Sequence, residues 1–316
     1  MTSGTPVPVD SATERPGDLL PPEVLEGLGS LDLIARTIVR GFISGAHRSP
    51  FLGSGEDFSR HRSYQQGDDV RRLDWRLYAR TDRLYIRLFQ EDSNLQAFLL
   101  LDTSESMAFV GDGAVSKLRY GQFVAAALAH VMLRSGDAVG LTSSGDRTAF
   151  HLPPRNRPGH LHDVLVGLER LQSGGSGGIH NALDEVGSAL RRRGRVILIS
   201  DCLSENGPQA LLGAVGRLRA RGDEVLVLRI ASRLELGDAP APPARYYDPE
   251  HPDQVIAAAP GSDPDFRRRV ADYYDELRRG LEERGAEYVP LTTDRPLVSA
   301  IGGWLLARRY RQQRVP

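Results

Sequence analysis

The stretch LLLDTSESMAF, residues 99–109, ends an apolar run with an aspartate and then places two serines at alternate positions. The side chains of Asp102, Ser104 and Ser106 offer carboxylate and hydroxyl oxygens, which are the ligands that Mg²⁺ and Mn²⁺ prefer. The same residues could instead form a plain polar turn, because Asp and Ser side chains readily hydrogen-bond to nearby backbone groups. This loop alone therefore leaves a metal site and a turn as alternatives.

A second aspartate, Asp201, follows another apolar run, RVILIS. Both runs have the composition of strands buried on both faces of a sheet, and parallel strands place their carboxyl ends at one edge. We therefore expect Asp102 and Asp201 to converge, although 99 residues separate them. Two carboxylates and two hydroxyls favour a site for Mg²⁺ or Mn²⁺, with Asp201 as a ligand either directly or through water.

A phosphoaspartyl enzyme is the rival with covalent chemistry, since it also uses a strand-end aspartate together with Mg²⁺. Such an enzyme normally needs a second carboxylate two residues after the nucleophile, where it acts as acid and base. This chain has Ser104 at that position, and Glu105 is out of phase. A metal-dependent phosphohydrolase using Asp102 is therefore the alternative, and we expect a protein that is not an enzyme.

Strands and long helices alternate after residue 94, which is typical of an open, mostly parallel α/β sheet with helices on both faces. This sheet is the element that must position the candidate ligands at its carboxyl edge. Composition and pattern predict a disordered tail at 1–20, an accessory segment of helix and short strands at 21–93, the α/β domain at 94–311 with an inserted hairpin near 244–258, and a tail at 312–316.

Composition excludes several classes of function. The formal net charge of -1 gives no global field that would attract nucleic acid or a membrane surface. Lys117 is the one lysine, which almost excludes lysine-dependent phosphate loops and Schiff-base chemistry. The single cysteine, Cys202, suits a reducing compartment. Because the sequence has neither a signal peptide nor 18 consecutive apolar residues, we expect a cytoplasmic protein without a membrane span.

The segment 60–90 contains eight arginines, with Tyr64, Trp75 and further aromatic residues between them. Arginines and aromatics together could bind nucleic acid. Four aspartates are mixed among them, however, which favours internal ion pairs over a nucleic-acid surface. We therefore expect no nucleic-acid partner, and we expect Trp75 to anchor the core.

The string D-T-S-E-S with a later strand-end aspartate resembles the metal-ion-dependent adhesion site of von Willebrand factor type A domains, which have a Rossmann-like fold. GDAVGL (136–141) and VILISD (196–201) are similar to the second and fourth strands of that fold. Upstream, the segment 61–80 resembles the bacterial "domain of unknown function 58" family. The positions that carry this second resemblance are Arg62, Tyr64, Gly67, Asp68, Arg71, Asp74, Trp75, Ala79 and Arg80.

The resemblance implies a type A domain in an accessory or adaptor protein that is usually encoded beside a MoxR-type AAA+ ATPase. The implied partner is that ATPase or its client, and a carboxylate of the partner takes the remaining coordination position of the metal. The type A pattern also has a threonine ligand, where this chain has Gly177, with Ser176 or Ser173 as substitutes. A weakened metal site and a structural scaffold without metal both stay open as alternatives.

Overall fold

The computed structural model describes residues 21–46, 61–64, 73, 75–87, 95–111, 113–144, 150–175, 178–204, 207–239, 246–247, 255–256 and 264–297. The helices in these ranges are α1 (Pro22–Glu26), α2 (Leu31–Ala46), α3 (Trp75–Thr81), α4 (Lys117–Arg134), α5 (His160–Arg170), α6 (Ile179–Ala189), α7 (Gln209–Ala220) and α8 (Pro264–Glu283). The strands are β1 (His61–Ser63), β2 (Tyr85–Arg87), β3 (Gln96–Leu101), β4 (Ala138–Ser143), β5 (His151–Arg155), β6 (Gly194–Ser200), β7 (Glu224–Ala231), β8 (Tyr246–Tyr247), β9 (Val255–Ile256) and β10 (Glu287–Thr292).

Six strands form the central sheet in the order β10-β7-β6-β3-β4-β5. The first five strands of that order are parallel, and β5 is antiparallel to β4 at one edge. The first strand of this sheet along the sequence, β3, lies in its centre. The next two strands, β4 and β5, extend the sheet outward on one side of β3, and β6 then pairs with the other side of β3. This order confirms the predicted type A-like, Rossmann-like α/β fold, and it places the topological switch point between β3 and β6.

Helices cover both faces of this sheet, which is why its central strands are apolar along their whole length. Successive side chains of a strand point to opposite faces. Ala97, Leu99 and Leu101 of β3 belong to the core that includes α2, α4 and α5. Phe98 and Leu100 belong to the core on the other face, together with α6, α7 and α8. The two layers hold β3 rigidly, so that its carboxyl end is well positioned for a site.

Helices α1 and α2, which lie in the predicted accessory segment, contribute to the same core as α4. Leu25 and Leu31 are fully buried, and Ile34 and Ile38 lie beside them. Strands β8 and β9 pair antiparallel within the range of the predicted inserted hairpin. The predicted tails at 1–20 and 312–316 lie outside the described residues. Among the helices that the structure describes, none is both long and apolar enough to cross a membrane.

Two local predictions are tested by the structure. The sequence pattern of 147–152 predicts a hairpin partner of β4, and the structure has an antiparallel partner, β5, at His151–Arg155, while residues 147–149 lie outside the described residues. Two prolines are tolerated in β5 because the strand is at the sheet edge. The prediction that Trp75 anchors the core is wrong, since its side chain is 61% exposed. Trp75 begins the short helix α3, and its ring packs edge-on against Tyr78, one turn along the same helix.

Helix α4 lies unusually close to the sheet at Gly121. A Cβ at this position would come within 2.8 Å of Leu101 Cδ1 and 3.3 Å of Ile199 Cγ2, so a larger residue would push the helix away from β3 and β6. Lys117 lies one helical turn before Gly121 and therefore on the same face of α4. The close approach of the helix thus brings Lys117 to the carboxyl edge of the sheet.

The Gly121→Ala substitution should lower the free energy of unfolding by about 1 kcal/mol. Overpacking destabilises the protein by about 1–3 kcal/mol, and the better helix propensity of alanine offsets about 1 kcal/mol of this loss. Gly213 in α7 is the matched control, since a Cβ there meets its nearest neighbour, the Arg217 guanidinium, at 3.5 Å. Gly213→Ala should instead raise the free energy of unfolding by up to about 1 kcal/mol. Urea denaturation measures both, and equal stabilisation by the two substitutions would contradict the close packing of α4.

Candidate functional site

The structure brings together the four side chains that the sequence singles out as metal ligands. The hydroxyl oxygens of Ser104 and Ser106 lie 3.1 Å apart, and Ser106 Oγ donates a hydrogen bond to Asp201 Oδ2 at 2.7 Å. The backbone N–H of Ser104 donates to Asp102 Oδ1 at 2.9 Å, which folds the loop after β3 into a tight turn. All four residues therefore meet at the switch point between β3 and β6.

Asp102 is fully buried at the end of β3 and is held by hydroxyl donors from both neighbouring strands. Ser144, which follows β4, donates to Asp102 Oδ1 at 3.0 Å, and Ser200, at the end of β6, donates to Oδ2 at 2.6 Å. Burial raises the pKa of the Asp102 carboxyl, and the negative charge of Asp201 raises it further. The hydrogen bonds from Ser200 and Ser104 oppose this rise without cancelling it.

Asp201 ends β6 and accepts hydrogen bonds at both carboxylate oxygens. Its Oδ1 accepts from the backbone N–H of Leu203 at 3.0 Å. Its Oδ2 accepts from Ser106 and also from the ammonium group of Lys117 at 2.7 Å. Asp201 is thus the point where the serine loop after β3 and the start of helix α4 meet.

Lys117 is a buried cation that lies between two carboxylates. Its Nζ atom is 2.7 Å from Asp201 Oδ2 and 2.5 Å from Glu235 Oε1, and its side chain has no solvent exposure. Burial lowers the pKa of Lys117, but the attraction of Asp201 and Glu235 outweighs that effect, so the pKa lies above its ordinary value. The ammonium group is therefore charged in the folded protein.

Glu235 is oriented by a capping box that follows β7. The backbone N–H of Ser232 donates to Glu235 Oε2 at 2.8 Å, and the backbone N–H of Glu235 donates to Ser232 Oγ at 3.2 Å. This reciprocal pairing is the S-x-x-E motif that opens helical turns. The other carboxylate oxygen of Glu235 is left to face Lys117. A third strand end, that of β7, thus supplies a carboxylate to the site.

Four residues of this site do not stand out in the sequence analysis as site residues: Lys117, Ser144, Ser200 and Glu235. Ser144 and Ser200 follow or end apolar runs, but isolated serines there carry no particular signal. Lys117 and Glu235 do have a sequence signal. Lys117 is the one lysine among 40 basic residues, and Glu235 ends an S-x-x-E string directly after the apolar run of β7. Cys202 is buried beside the site, and burial raises its pKa, as expected of a packed thiol that does not react.

The chemistry and spacing of the oxygens fit a small divalent cation. Adjacent ligands of an octahedral Mg²⁺ ion lie about 3.0 Å apart when each bond is about 2.1 Å, and the two serine hydroxyl oxygens are 3.1 Å apart. Asp102 accepts three hydrogen bonds out of about four that a carboxylate accommodates, which leaves one position for a metal or its water. Ligation by Asp102, Ser104, Ser106 and Asp201 stays a prediction.

Serine hydroxyls would have to supply part of the coordination. Within the described residues there is no group of three or more His, Cys, Asp or Glu that could hold a metal. Gly177 and Ser176, at and beside the expected threonine position, lie outside the described residues. The part of the glycine-rich loop that is described runs against the serine loop, since the Gly174 N–H donates to Thr103 O at 2.9 Å and the Glu105 N–H donates to Gly175 O at 3.3 Å.

A family model described as "Protein of unknown function DUF58" matches residues 60–276 of the chain. The chain is also similar to the uncharacterized protein Rv1480 of Mycobacterium tuberculosis, with 27% identity over 311 residues that cover 97% of this chain and 96% of that protein. The similarity to Rv1480 therefore extends over almost the whole length of both proteins.

Two solved structures are similar to the chain at lower identity. The conserved hypothetical protein BatB from Bacteroides thetaiotaomicron is 19% identical, with a TM-score of 0.46 over 68% of this chain and 99% of that chain. The VWA domain of SpRpn10 is 12% identical, with a TM-score of 0.41 over 65% of this chain and 92% of that chain. The type A-like fold follows from the strand order itself.

The raised pKa of Asp102 gives the metal-free protein a defined pH dependence. Because the folded state binds this proton more tightly than the unfolded chain, the contribution of Asp102 to stability falls as the pH rises from about 4 through the raised pKa. Asp102→Asn removes the titration. The free energy of unfolding of the wild type in EDTA should therefore fall relative to that of Asp102→Asn as the pH rises above about 4. Chemical denaturation measures it, and a constant or rising difference would contradict the burial of an uncompensated carboxylate.

Proposed function

The chain belongs to the DUF58 family, and we propose that it is a non-enzymatic interaction module that binds a protein partner at the carboxyl edge of its sheet. The observation that carries the proposal is the hydrogen-bonded set of Asp102, Ser104, Ser106 and Asp201 at the switch point between β3 and β6. Ligands of open α/β sheets bind at this place in the fold.

The proposed role of each residue follows from its contacts. Ser104 and Ser106 present two hydroxyl oxygens at the spacing of adjacent ligands of Mg²⁺ or Mn²⁺. Asp102 supplies buried negative charge and, through its bond to the Ser104 N–H, fixes the shape of the loop. Asp201 orients Ser106 by accepting its hydrogen bond. A bound divalent cation would offer its remaining coordination position to an acidic side chain of the partner.

We propose a MoxR-type AAA+ ATPase, or a client of that ATPase, as the partner, and assembly, maturation or chaperone-like work in the cytoplasm as the setting. This part of the proposal is supported by family membership alone. An adaptor of this kind needs a rigid site rather than a reactive group, and the hydrogen bonds around Asp102 and Asp201 supply that rigidity.

The absence of catalysis is part of the proposal. Ser104 stands where a phosphoaspartyl enzyme needs an acid, and its hydroxyl group pairs with Ser106. The alternative, a metal-dependent phosphohydrolase using Asp102, would show turnover of an aryl phosphate that is lost in Asp102→Asn. We expect no turnover above the level of that variant.

Isothermal titration calorimetry should detect binding of Mg²⁺ or Mn²⁺ to the wild type and at least tenfold weaker binding to Ser104→Ala and to Asp102→Ala, since each removes a proposed ligand. Asp184→Ala is the matched control, because Asp184 is a surface carboxylate of α6 that pairs with Arg217. That variant should bind the metal like the wild type. Unchanged affinity in both site variants would rule out the metal site and favour a scaffold without metal.

Leu203 should form part of the partner-binding surface, because its side chain is 44% exposed directly beside Asp201. Leu203→Ser should weaken capture of a purified MoxR-type ATPase several-fold while leaving metal affinity unchanged. Leu33→Ser, at a leucine of α2 that is 45% exposed, is the matched control and should have no effect on capture. Capture that persists in EDTA and in Asp102→Ala would contradict metal-mediated binding, even if Leu203 contributes.

A further inference from the structure

We infer that Lys117 is a built-in cation of this site, whose ammonium group holds Asp201 and Glu235 in place when no metal is bound. Lys117 thereby keeps the carboxyl edge assembled in the metal-free protein and leaves the serine loop available to a divalent ion. The inference rests on the proposed function only in what it says about divalent ions. What it says about the metal-free protein rests on the contacts of the Lys117, Asp201 and Glu235 side chains.

Lys117 bridges two carboxylates at hydrogen-bonding distance. The Lys117 ammonium is 2.7 Å from Asp201 Oδ2 and 2.5 Å from Glu235 Oε1, with no solvent exposure. It shares Asp201 Oδ2 with the Ser106 hydroxyl. The removal of one partner from a buried ion pair leaves the other charge uncompensated, which is strongly destabilising. Lys117 supplies the positive charge that lets the buried Asp201 carboxylate keep its orientation toward Ser106 without a metal.

Lys117 differs from every other basic residue of the chain. The chain has 40 basic residues, and because Lys117 is the one lysine among them, the other 39 are arginines. The lysine stands where the space lies between the buried carboxylate of Asp201 and the partly buried carboxylate of Glu235. An ammonium group is a compact point charge with three rotatable donors, whereas a guanidinium is a larger planar fork. The site accordingly needs a small cation, which is also what a metal ion would be.

Lys117 occupies an unfavourable position in its own helix. Lys117 is the first residue of α4, directly after the N-cap Ser116. The positive end of the helix dipole lies here, so a cation is disfavoured by its own helix. Asp201 and Glu235 must outweigh that cost. Residues that break a local rule in this way are found mainly at functional sites.

The charges of the site also leave room for a divalent ion. The ends of β3, β6 and β7 supply the carboxylates of Asp102, Asp201 and Glu235, and Lys117 supplies one positive charge. With all four groups ionised, two negative charges remain uncompensated. A divalent cation would balance them, so Lys117 does not replace the metal; its ammonium group neutralises Asp201 and Glu235.

The test is thermal unfolding of the 316-residue chain in EDTA and in Mg²⁺, for the wild type, Lys117→Met, Glu235→Gln and the double variant. In EDTA, Lys117→Met should lower Tm by about 10 °C, because the buried carboxylate of Asp201 and the partly buried carboxylate of Glu235 lose their counter-charge. Glu235→Gln should lower Tm less, since Lys117 keeps Asp201. The double variant should be more stable than Lys117→Met, because one of the two unpaired carboxylates is then removed.

Mg²⁺ should raise the Tm of Lys117→Met more than that of the wild type, because the metal-free site of the variant is less neutralised. Equal losses of Tm in EDTA and in Mg²⁺, without rescue by Glu235→Gln, would show that Lys117 is only a packing residue and would overturn the inference. If Lys117→Met does not fold, the triple variant that adds Asp201→Asn and Glu235→Gln decides, because it leaves neither carboxylate without its partner: folding supports the inference, and failure to fold contradicts it.

The measurements in Mg²⁺ distinguish a failure of this inference from a failure of the proposed function. Rescue by Glu235→Gln in EDTA, combined with no effect of Mg²⁺ on any variant, would support the built-in cation and contradict the metal-binding function. Loss of the rescue, combined with Mg²⁺ stabilisation of the wild type, would contradict the built-in cation and leave the metal-binding function intact.

Discussion

The charge of two buried carboxylates governs the structure of this site. Asp102 and Asp201 end neighbouring parallel strands inside the protein, where an ionised carboxylate is costly unless donors or cations surround it. Hydroxyl donors and one cation at the edge supply such compensation. Serine hydroxyls from three loops and strand ends donate to the pair, and Lys117 adds a full positive charge. The result is a polar cluster that is held together from several elements at once.

The fold explains how residues far apart in sequence reach this cluster. The order of the sheet brings the ends of β3, β6 and β7 side by side, so that each contributes a carboxylate or a capping box. Helix α4 adds Lys117 because Gly121 allows it to lie close to β3 and β6. The apolar cores on the two faces hold these elements at fixed separations. A small change in helix position would therefore alter the electrostatics of the site.

Strand-end reasoning predicts half of the site and misses the other half for a physical reason. Asp102, Ser104, Ser106 and Asp201 could be predicted because they directly follow long apolar runs, and parallel strands end at a common edge. The presence of Lys117 and Glu235 in the site depends on which strands are neighbours and on how closely a helix packs against the sheet. The local sequence pattern predicts neither of these. Trp75 shows the converse error, since aromatic character predicts burial, whereas the first residue of a short helix can remain exposed.

The most direct measurement is an anomalous difference map from crystals soaked in Mn²⁺. We expect one strong peak within coordination distance of the Ser104 and Ser106 hydroxyl oxygens, with the Lys117 ammonium still between Asp201 and Glu235. A map without a peak at this position, at Mn²⁺ concentrations that saturate any binding in solution, would contradict a cation site at the sheet edge. A bound Mn²⁺ ion that displaces the Lys117 ammonium from Asp201 would contradict the inference that the lysine and the metal occupy the site together.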